Sequence, residues 1–399
     1  MIFKKVILNS ITIVAMLGLL LAANVNFAPA EANDGNSGRK IIVFQNGLSD
    51  LQKDEVIKKA GGEEIKNLNL VNAKAINVPS KAVLEKLNSN PLIARVDDDV
   101  VVEALAKPGS GSTQPSQVLP WGIDRIDAEL VWPSGNTANP IKVAIVDTGI
   151  STGHPDLKDN IKGGINTINP TKSFNDDNGH GAHVAGIVAA SNNSVGVVGA
   201  GSDIDLYGVK VLNRNGSGFL SDIIEGIEWS INNGMQVINM SLGTSSDVQS
   251  LHDAVALAKN AGVIVVAAAG NSGGPVIYPA AYPEVISVSA TDQNNNIASW
   301  SSRGNEVDLA APGVSIYSTY KGTSYKTLSG TSMAAPHVAG AAALVLNTPV
   351  GIYDANFNGK WDPDEVQTKL QDRAVDLGVA GFDSLYGWGL VNAYNAVQP

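Results

Sequence analysis

Apolar runs of five or six residues alternate with longer amphipathic or small-residue stretches from about residue 117 to the end of the chain. The runs predict buried strands at 141–146, 206–211, 237–240, 263–268 and 285–290. The longer stretches predict helices at 180–190, 220–232, 248–260, 331–346 and 364–373. Because such alternation is typical of a parallel sheet covered on both faces, we predict an α/β fold with helices on both faces.

A smaller unit with a different pattern precedes this region. Strands are predicted at 40–44, 73–78, 92–96 and 100–104, and helices at 50–60 and 80–88. The pattern suggests a ferredoxin-like α+β sandwich, although these strands are less evenly spaced than that order requires. Residues 106–116 are rich in proline, glycine and serine and predict a linker.

The first 32 residues have the layout of an export signal. Lys4 and Lys5 precede a short apolar stretch at 11–23, and small residues at 28–32 offer a cleavage site. An uncleaved anchor is the alternative, but the stretch is shorter than the roughly 20 residues that span a bilayer. We therefore expect a secreted protein with a signal at 1–32 and no stable membrane anchor.

Composition narrows the possible partners and sources of stability. The 399 residues include no cysteine, so stability must come from packing, ions or partners rather than from disulfides. The formal charge is −11, and residues 1–105 carry equal numbers of acidic and basic side chains, so the excess lies in the larger region. An acidic region argues against nucleic acid and anionic membranes as partners.

Candidate chemistry begins at residue 330. The sequence GTSMAAPHVAG opens an uncharged run of small and apolar residues, which predicts a helix buried on every side. Ser332 would lie in its first turn, where free backbone N–H groups create a positive field. An ordinary N-cap serine is the alternative, since a nucleophile would also need a base and an orienting carboxylate.

Both further groups occur upstream of this serine. The apolar run 142–146 ends in Asp147, at the carboxyl end of a predicted parallel strand. His180 opens a predicted helix within the sequence NGHGAHVAG at 178–186. These three local sequences, in the order Asp, His, Ser, resemble the subtilisin family of serine proteases, and the resemblance extends from about residue 40 to the end. It implies a serine endopeptidase that acts through Asp147, His180 and Ser332.

The resemblance also implies an oxyanion hole. Asn271 would donate its side-chain amide there, with the backbone N–H of Ser332 as its partner. A turn residue beside Gly270 is the alternative for Asn271. His183 is assigned a packing or hydrogen-bonding role, and Ala182 stands where the family usually has threonine, which predicts altered local hydrogen bonding with activity retained.

Two stretches resemble the edges along which the family binds an extended peptide. Their glycines would let a substrate pair with backbone on both sides, which implies broad tolerance. These residues are Gly216, Ser217 and Gly218 on one edge and Ser241, Leu242 and Gly243 on the other. The primary pocket would lie between the second edge and Ala268, Ala269 and Gly270, with Ile277 at its floor favouring small or medium apolar side chains.

By resemblance, residues 33–105 would form a propeptide that assists folding and inhibits a catalytic domain at 117–399. Its end, 101–105, would lie in the cleft like a product, with self-cleavage between Leu105 and Ala106. Parallel pairing between distant segments forms slowly, which gives a physical reason for a folding template.

Residues 354–365 fit the twelve-residue pattern of an EF-hand calcium loop. The matching positions are Asp354, Asn356, Asn358, the Gly359 turn and Glu365, with the Lys360 carbonyl and the Asp362 side chain completing the set. Trp361 and Pro363 depart from the pattern, and a polar surface loop is the alternative. A second calcium site is implied by the resemblance alone, with ligands from Gln117, Asp156 and Asn193 and the carbonyls of Ser191, Val195 and Val197.

The prediction is therefore a secreted, calcium-stabilised, self-processing serine endopeptidase, monomeric and acting on proteins or peptides. A catalytically inactive, peptide-binding relative is one alternative, and a structural calcium-binding surface protein is another. A processing protease of narrow specificity is a third, since Asp176 and Asp177 near His180 could attract a basic side chain.

Overall fold

The computed structural model describes residues 38–107, 111–112 and 115–399. The predicted signal at 1–32 and part of the predicted linker lie outside these residues. Within the described ranges, no helix is both long enough and apolar enough to cross a membrane.

The described residues form strands and helices in the following order. The strands are β1 (Gly38–Phe44), β2 (Glu63–Leu68), β3 (Ala73–Val78), β4 (Ile93–Asp98), β5 (Val101–Ala104), β6 (Gly111–Ser112), β7 (Lys142–Asp147), β8 (Ile161–Asn166), β9 (Asp205–Lys210), β10 (Ser217–Phe219), β11 (Val237–Met240), β12 (Leu242–Gly243), β13 (Ile264–Ala268), β14 (Ile286–Thr291), β15 (Leu309–Pro312), β16 (Ile316–Thr319) and β17 (Tyr325–Leu328). The α-helices are α1 (Asp50–Ala60), α2 (Lys81–Asn88), α3 (Trp121–Arg125), α4 (His180–Ala189), α5 (Leu220–Asn232), α6 (Gln249–Asn260), α7 (Thr331–Leu346), α8 (Pro363–Asp372) and α9 (Ala393–Val397).

The N-terminal unit, residues 38–98, is an antiparallel sheet with strand order β2-β3-β1-β4. Alternate residues of β1 face opposite sides, as the two-residue period of a strand requires. Ile42 and Phe44 pack with α1 and α2, whereas Ile41 and Val43 join the core of the large unit. The elements follow each other as strand, helix, strand, strand, helix, strand. The segments predicted from the sequence lack β2 and add 100–104 to this unit, so they do not reproduce this order.

The large unit, residues 115–399, is built on seven parallel strands in the order β15-β14-β13-β11-β7-β9-β8. One sheet face packs against α4 and α7, and the other packs against α5 and α6. Both faces are buried, so the strands read as continuous apolar runs rather than as alternating ones. The predicted parallel α/β fold with helices on both faces is confirmed.

Eight of the seventeen described strands were not predicted: the short β6, β10, β12, β16 and β17, and three strands of the two larger sheets. β2, β8 and β15 were not predicted, and each lies at the edge of its sheet. β2 has the sequence EEIKNL and is mostly exposed, so it carries a weak apolar signal. β15 is fully buried, but its four residues, LAAP, are too few for a clear strand pattern. β5 is a strand as predicted, and it pairs with β10 and β12 of the large unit rather than with the N-terminal sheet. Residues 101–105 therefore lie between the two edges where the family resemblance placed them.

Charged side chains of the N-terminal unit and its continuation close the starts of two helices in the large unit. The buried Asp99 carboxylate accepts hydrogen bonds from the backbone N–H of Ser221 at 2.8 Å and from its hydroxyl at 2.9 Å, in the first turn of α5. Asp97 accepts a hydrogen bond from the hydroxyl of Ser250 at the start of α6. At α5 the Asp99 carboxylate thus satisfies a backbone donor that the helix itself leaves unpaired, whereas at α6 the bond is to a side-chain hydroxyl.

Candidate active site

Asp147 and His180 meet at the carboxyl edge of the parallel sheet. Asp147 ends β7, His180 begins α4, and the Nδ1 atom of His180 lies 2.7 and 2.9 Å from the two carboxylate oxygens of Asp147. Both side chains are buried. Burial alone would lower the pKa of His180, but the facing Asp147 carboxylate outweighs it, so the pKa is raised above its usual value. The pair therefore holds an imidazole that gains a proton readily.

The buried Asp176 carboxylate fixes the conformation of the loop that precedes His180. Asp176 accepts hydrogen bonds from the backbone N–H groups of Asn178, Gly179 and Ala182, at 2.8–2.9 Å, and from the hydroxyl of Thr148. Burial raises the pKa of Asp176, while these backbone donors oppose the rise. Since Thr148 follows Asp147 directly, this network fixes the loop relative to the strand end.

Lys210 joins the same two elements from the other side. Its buried ammonium lies 2.7 Å from the carbonyl of Thr148 and 2.8 Å from the Asp177 carboxylate. Sequence analysis did not single out Lys210 as a site residue. The signal available in the sequence was a lysine within the otherwise uncharged run predicted as a strand at 206–211. The structure places this lysine in register with Asp147 on the neighbouring strand.

Ser332 lies in the first turn of the buried helix α7, as predicted. Its hydroxyl donates to the carbonyl of Ser241 at 2.9 Å. The Nε2 atom of His180 is buried and has no hydrogen-bond partner among the described residues. The Ser332 hydroxyl would therefore have to exchange Ser241 for His180 as its acceptor before a proton could pass to the imidazole.

Residues 101–107, which we call the tail segment, run through the cleft between the two predicted edges. β5 pairs antiparallel with β10 on one side and with β12 on the other. The carbonyl oxygen of Leu105 accepts a hydrogen bond from the Asn271 side-chain amide at 2.9 Å. A Cβ on Gly330 would lie 2.4 Å from that oxygen, so glycine is required where the tail passes the start of α7.

The chain continues past the predicted cleavage point without leaving the cleft. Lys107 and Ser329 are paired through backbone, with a 2.7 Å bond from the Lys107 N–H. Farther on, β6 pairs with β17. The Leu105–Ala106 bond thus lies between one stretch of paired strand and the next.

Ile277 lies against both predicted walls of the primary pocket. A Cβ on Gly243 would approach its side chain to 2.6 Å, and a Cβ on Gly270 would approach it to 3.2 Å. Ala268 and Ala269 are completely buried. The structure therefore brings together the residues predicted to form this pocket, with Ile277 in contact with two of them.

His183 has the hydrogen-bonding role that was assigned to it. Its Nε2 atom lies 3.1 Å from the carbonyl of Ile316 and 2.9 Å from that of Lys326. Burial lowers its pKa to about 3, so it remains uncharged. Ala182 is buried and bonds only through backbone, to the Asp176 carboxylate and to the hydroxyl of Thr319.

The predicted calcium loop at 354–365 is closed by its own hydrogen bonds. The two oxygens of the Asp354 carboxylate accept the N–H groups of Asn358 and Gly359 at 2.9 and 3.0 Å. The side-chain amides of Asn356 and Asn358 both donate to Asp362. The two oxygens of Glu365 accept the N–H groups of Ala355 and Asp362.

The second predicted set is also assembled. Asp156 accepts hydrogen bonds from the Asn193 side-chain amide and from the N–H of Val197, and Gln117 accepts the N–H of Asn193. The loop carrying Ser191 and Val195 joins these side chains. Across the described ranges, no three His, Cys, Asp or Glu side chains cluster closely enough to hold a metal ion. The three carboxylates predicted as ligands in the 354–365 loop, Asp354, Asp362 and Glu365, therefore do not form such a cluster in this structure.

A carboxylate, an imidazole and a hydroxyl at the carboxyl edge of a parallel sheet are the groups of a serine hydrolase. The sequence profile of the Subtilase family matches residues 138–389. The chain is 42% identical to an alkaline protease of Alkalihalobacillus alcalophilus over 398 residues, covering 97% of this chain and 98% of that protein. It is 49% identical to Subtilisin Savinase of Lederbergia lenta over 284 residues, 71% of this chain and all of that protein. It is 40% identical to Subtilisin E of Bacillus subtilis over 383 residues, 94% of each.

The chain belongs to the subtilase family and is a subtilisin-like serine protease.

Proposed function

We propose that the protein is a secreted endopeptidase, made as a self-processing precursor, in which Ser332 is the nucleophile, His180 the general base and Asp147 the residue that orients the base. One observation carries the proposal: the carbonyl of Leu105 accepts the Asn271 amide beside a buried serine and an imidazole with a free Nε2. An extended peptide held in this way is ready for attack at one carbonyl.

Each step can be written for the chain's own residues. The Ser332 hydroxyl passes its proton to His180 Nε2 as its oxygen bonds to the carbonyl carbon of Leu105. The Asn271 amide stabilises the resulting oxyanion. His180 then gives the proton to the departing Ala106 nitrogen as the C–N bond breaks. Water, deprotonated by His180, hydrolyses the Leu105 ester and regenerates Ser332.

A fluorophosphonate that labels activated serines tests this assignment directly. The mature enzyme should be labelled at Ser332 with loss of peptide hydrolysis, and labelling elsewhere with activity retained would contradict it. A structural calcium-binding protein and a catalytically inactive relative both predict no labelling at all.

Replacing Asn271 with alanine is expected to lower kcat by about 10²–10³-fold, the loss known for the corresponding donor in subtilisin, with a smaller change in KM. The reason is that the oxyanion, rather than the ground-state carbonyl, gains most from the lost amide. Steady-state hydrolysis of a chromogenic peptide would measure both constants. Because Asn271 also accepts bonds from Thr331, an Asn271→Asp variant that keeps this acceptor is the control for displacement of α7. A rise in KM with kcat unchanged would show that Asn271 does not stabilise the oxyanion.

Residues 33–105 are proposed to act as an intramolecular inhibitor until cleavage at Leu105–Ala106. Their tail fills the edges that a substrate would use, and Val102 is buried in the core cluster shared with the large unit. Cleavage alone would leave this product bound, so activation also requires its release.

The loops at 354–365 and 191–197 are proposed to hold calcium. The Asp354 carboxylate already anchors the Gly359 turn, and reorienting the amides of Asn356, Asn358 and Asn193 would direct oxygens instead of NH₂ groups toward neighbouring carboxylates. The residues therefore fit a hard, oxygen-binding cation. Bound calcium would offset the negative charge of the carboxylates in these loops and stabilise the fold.

Calcium is expected to raise the thermal midpoint of the parent and to raise it less in an Asp354→Ala variant. At a calcium concentration 100-fold above Kd, one site contributes about 2.7 kcal/mol. Calorimetry of chains that also carry Ser332→Ala avoids self-digestion, and the exposed Asp372, outside the loop, gives the control variant Asp372→Ala. Terbium emission sensitised by Trp361 would report on the 354–365 loop alone. Equal calcium shifts in the parent and Asp354→Ala, without terbium emission, would contradict binding there.

We favour broad substrate specificity over a preference for substrates with paired basic residues. Asp176 is buried and fully engaged with backbone donors, and Asp177 is paired with Lys210. Neither carboxylate is therefore available to recruit a basic substrate side chain at low cost.

A further inference from the structure

A cavity of about 360 Å³ remains open beside His180 although the tail segment occupies the cleft. The large-unit residues on its lining include His180, Tyr320, Lys326 and Leu328. The tail contributes Glu103, Ala104, Ala106 and Lys107 to the lining, and the methyl groups of Ala104 and Ala106 are too small to fill the cavity. A larger substrate side chain at one of these positions would enter this space.

Lys326 supplies the positive charge on the large unit's side of this cavity. Lys107 of the tail segment also lines the cavity, and its ammonium lies 5.1 Å from the centre of the Trp300 ring. The ammonium of Lys326 lies 4.7 Å from the centre of the Tyr320 ring, and Lys326 takes part in no ion pair among the described residues. The other lysine near the His180 loop, Lys210, is instead neutralised by Asp177 at 2.8 Å. No Asp or Glu of the large unit lines the cavity, and the one lining carboxylate, Glu103, belongs to the tail.

Strand geometry places Lys326 on the leaving-group side of the cleft. Lys326 and Leu328 share one face of β17 because residues two apart in a strand point the same way, and both line the cavity. The next residue, Ser329, pairs with Lys107, just after the predicted cleavage point. Tyr320 packs against Gly179, directly before His180: a Cβ on Gly179 would lie 2.3 Å from the ring.

We propose that Lys326 makes this cavity a subsite for an acidic side chain on the residue directly after the scissile bond, where the tail carries Ala106. The inference rests on the proposed function, which fixes Leu105–Ala106 as the scissile bond. An acidic side chain there would reach an unpaired cation in a partly enclosed space, whereas a basic one would meet repulsion. The alanine of the precursor leaves the ammonium without a carboxylate partner.

The test uses mature enzyme and quenched-fluorescent peptides that differ only at the residue after the cleaved bond, either Glu or its neutral isostere Gln. The measured quantity is the ratio of kcat/KM for the Glu peptide to that for the Gln peptide. We expect a ratio of about five in the parent, the upper range for a partly exposed ion pair, and a ratio near one in Lys326→Met. The ratio should fall below one in Lys326→Glu and should fall toward one in about 1 M salt.

Matched controls separate this proposal from the function on which it rests. Lys321, an exposed lysine outside the cavity, gives the variant Lys321→Met, which should keep the parent ratio. A parent ratio of one, or an equal ratio in Lys326→Met, would overturn the proposal. A Glu preference found only when the residue before Leu105 is varied would also overturn it. Failure of the parent to cleave any peptide would instead count against the proposed function.

Discussion

Replacing Ser332 with alanine is expected to lower kcat by about six orders of magnitude, the size of the effect known for the same replacement in subtilisin. The precursor should then persist at full length, because the hydroxyl that would attack Leu105 is gone while the tail remains paired in the cleft. Peptide hydrolysis and the intact mass of the purified precursor, measured with calcium and with a chelator, provide the two readouts.

Circular dichroism and thermal unfolding would verify that the Ser332→Ala precursor is folded. If it is split at Leu105–Ala106 as fast as the parent, an outside protease is responsible and self-processing is wrong. If a trace of mature parent enzyme splits it, cleavage between molecules contributes. A control variant, Ser324→Ala, removes a hydroxyl outside the site and should mature normally.

An Asp147→Asn variant is expected to lose about 10⁴-fold in kcat, as known for the equivalent change in a serine protease with the same triad. An asparagine amide favours the wrong tautomer and no longer stabilises the imidazolium. In the parent, kcat/KM should rise as pH increases through the pKa of His180, because only neutral His180 acts as a base. Asp147 raises that pKa, so the rise should move to lower pH in the variant.

The pH profile of kcat/KM is the measurement that distinguishes this role from simple damage to the fold. A fold defect would reduce activity without moving the ascending limb. The exposed Asp159 gives the control Asp159→Asn, which should retain both the rate and the limb. If the ascending limb of the pH profile lies at the same pH in Asp147→Asn as in the parent, or if the variant is nearly as active, Asp147 does not orient His180.

Much of the site could be predicted because its chemistry is carried by short local sequences. Asp147 and His180 meet as expected, since the end of an apolar strand and the start of a small-residue helix fix where their side chains lie. Helices α5 and α7 begin and end at the predicted residues, because their apolar patterns have clear limits.

Other features depend on contacts that a sequence does not encode locally. The pairing of β5 with the large unit joins segments more than a hundred residues apart. The apolar pattern of β5 indicates a strand but not its partners, which only the family resemblance implied. The bond from Ser332 to the Ser241 carbonyl depends on a side-chain rotamer. Lys210 supports the site from within a mostly apolar run, and its role becomes evident only when its hydrogen-bond partners are known.

The placement of Asp99 at the start of α5 has a consequence for the lifetime of the enzyme. If maturation removes residues 33–105, the carboxylate that closes this helix leaves with them, and the Ser221 N–H returns to water. The propeptide, which is proposed to assist folding, would thus act once and then be removed. A mature molecule that unfolds would have no propeptide to assist its refolding. Its working life would therefore depend on its rate of unfolding rather than on the equilibrium between folded and unfolded states.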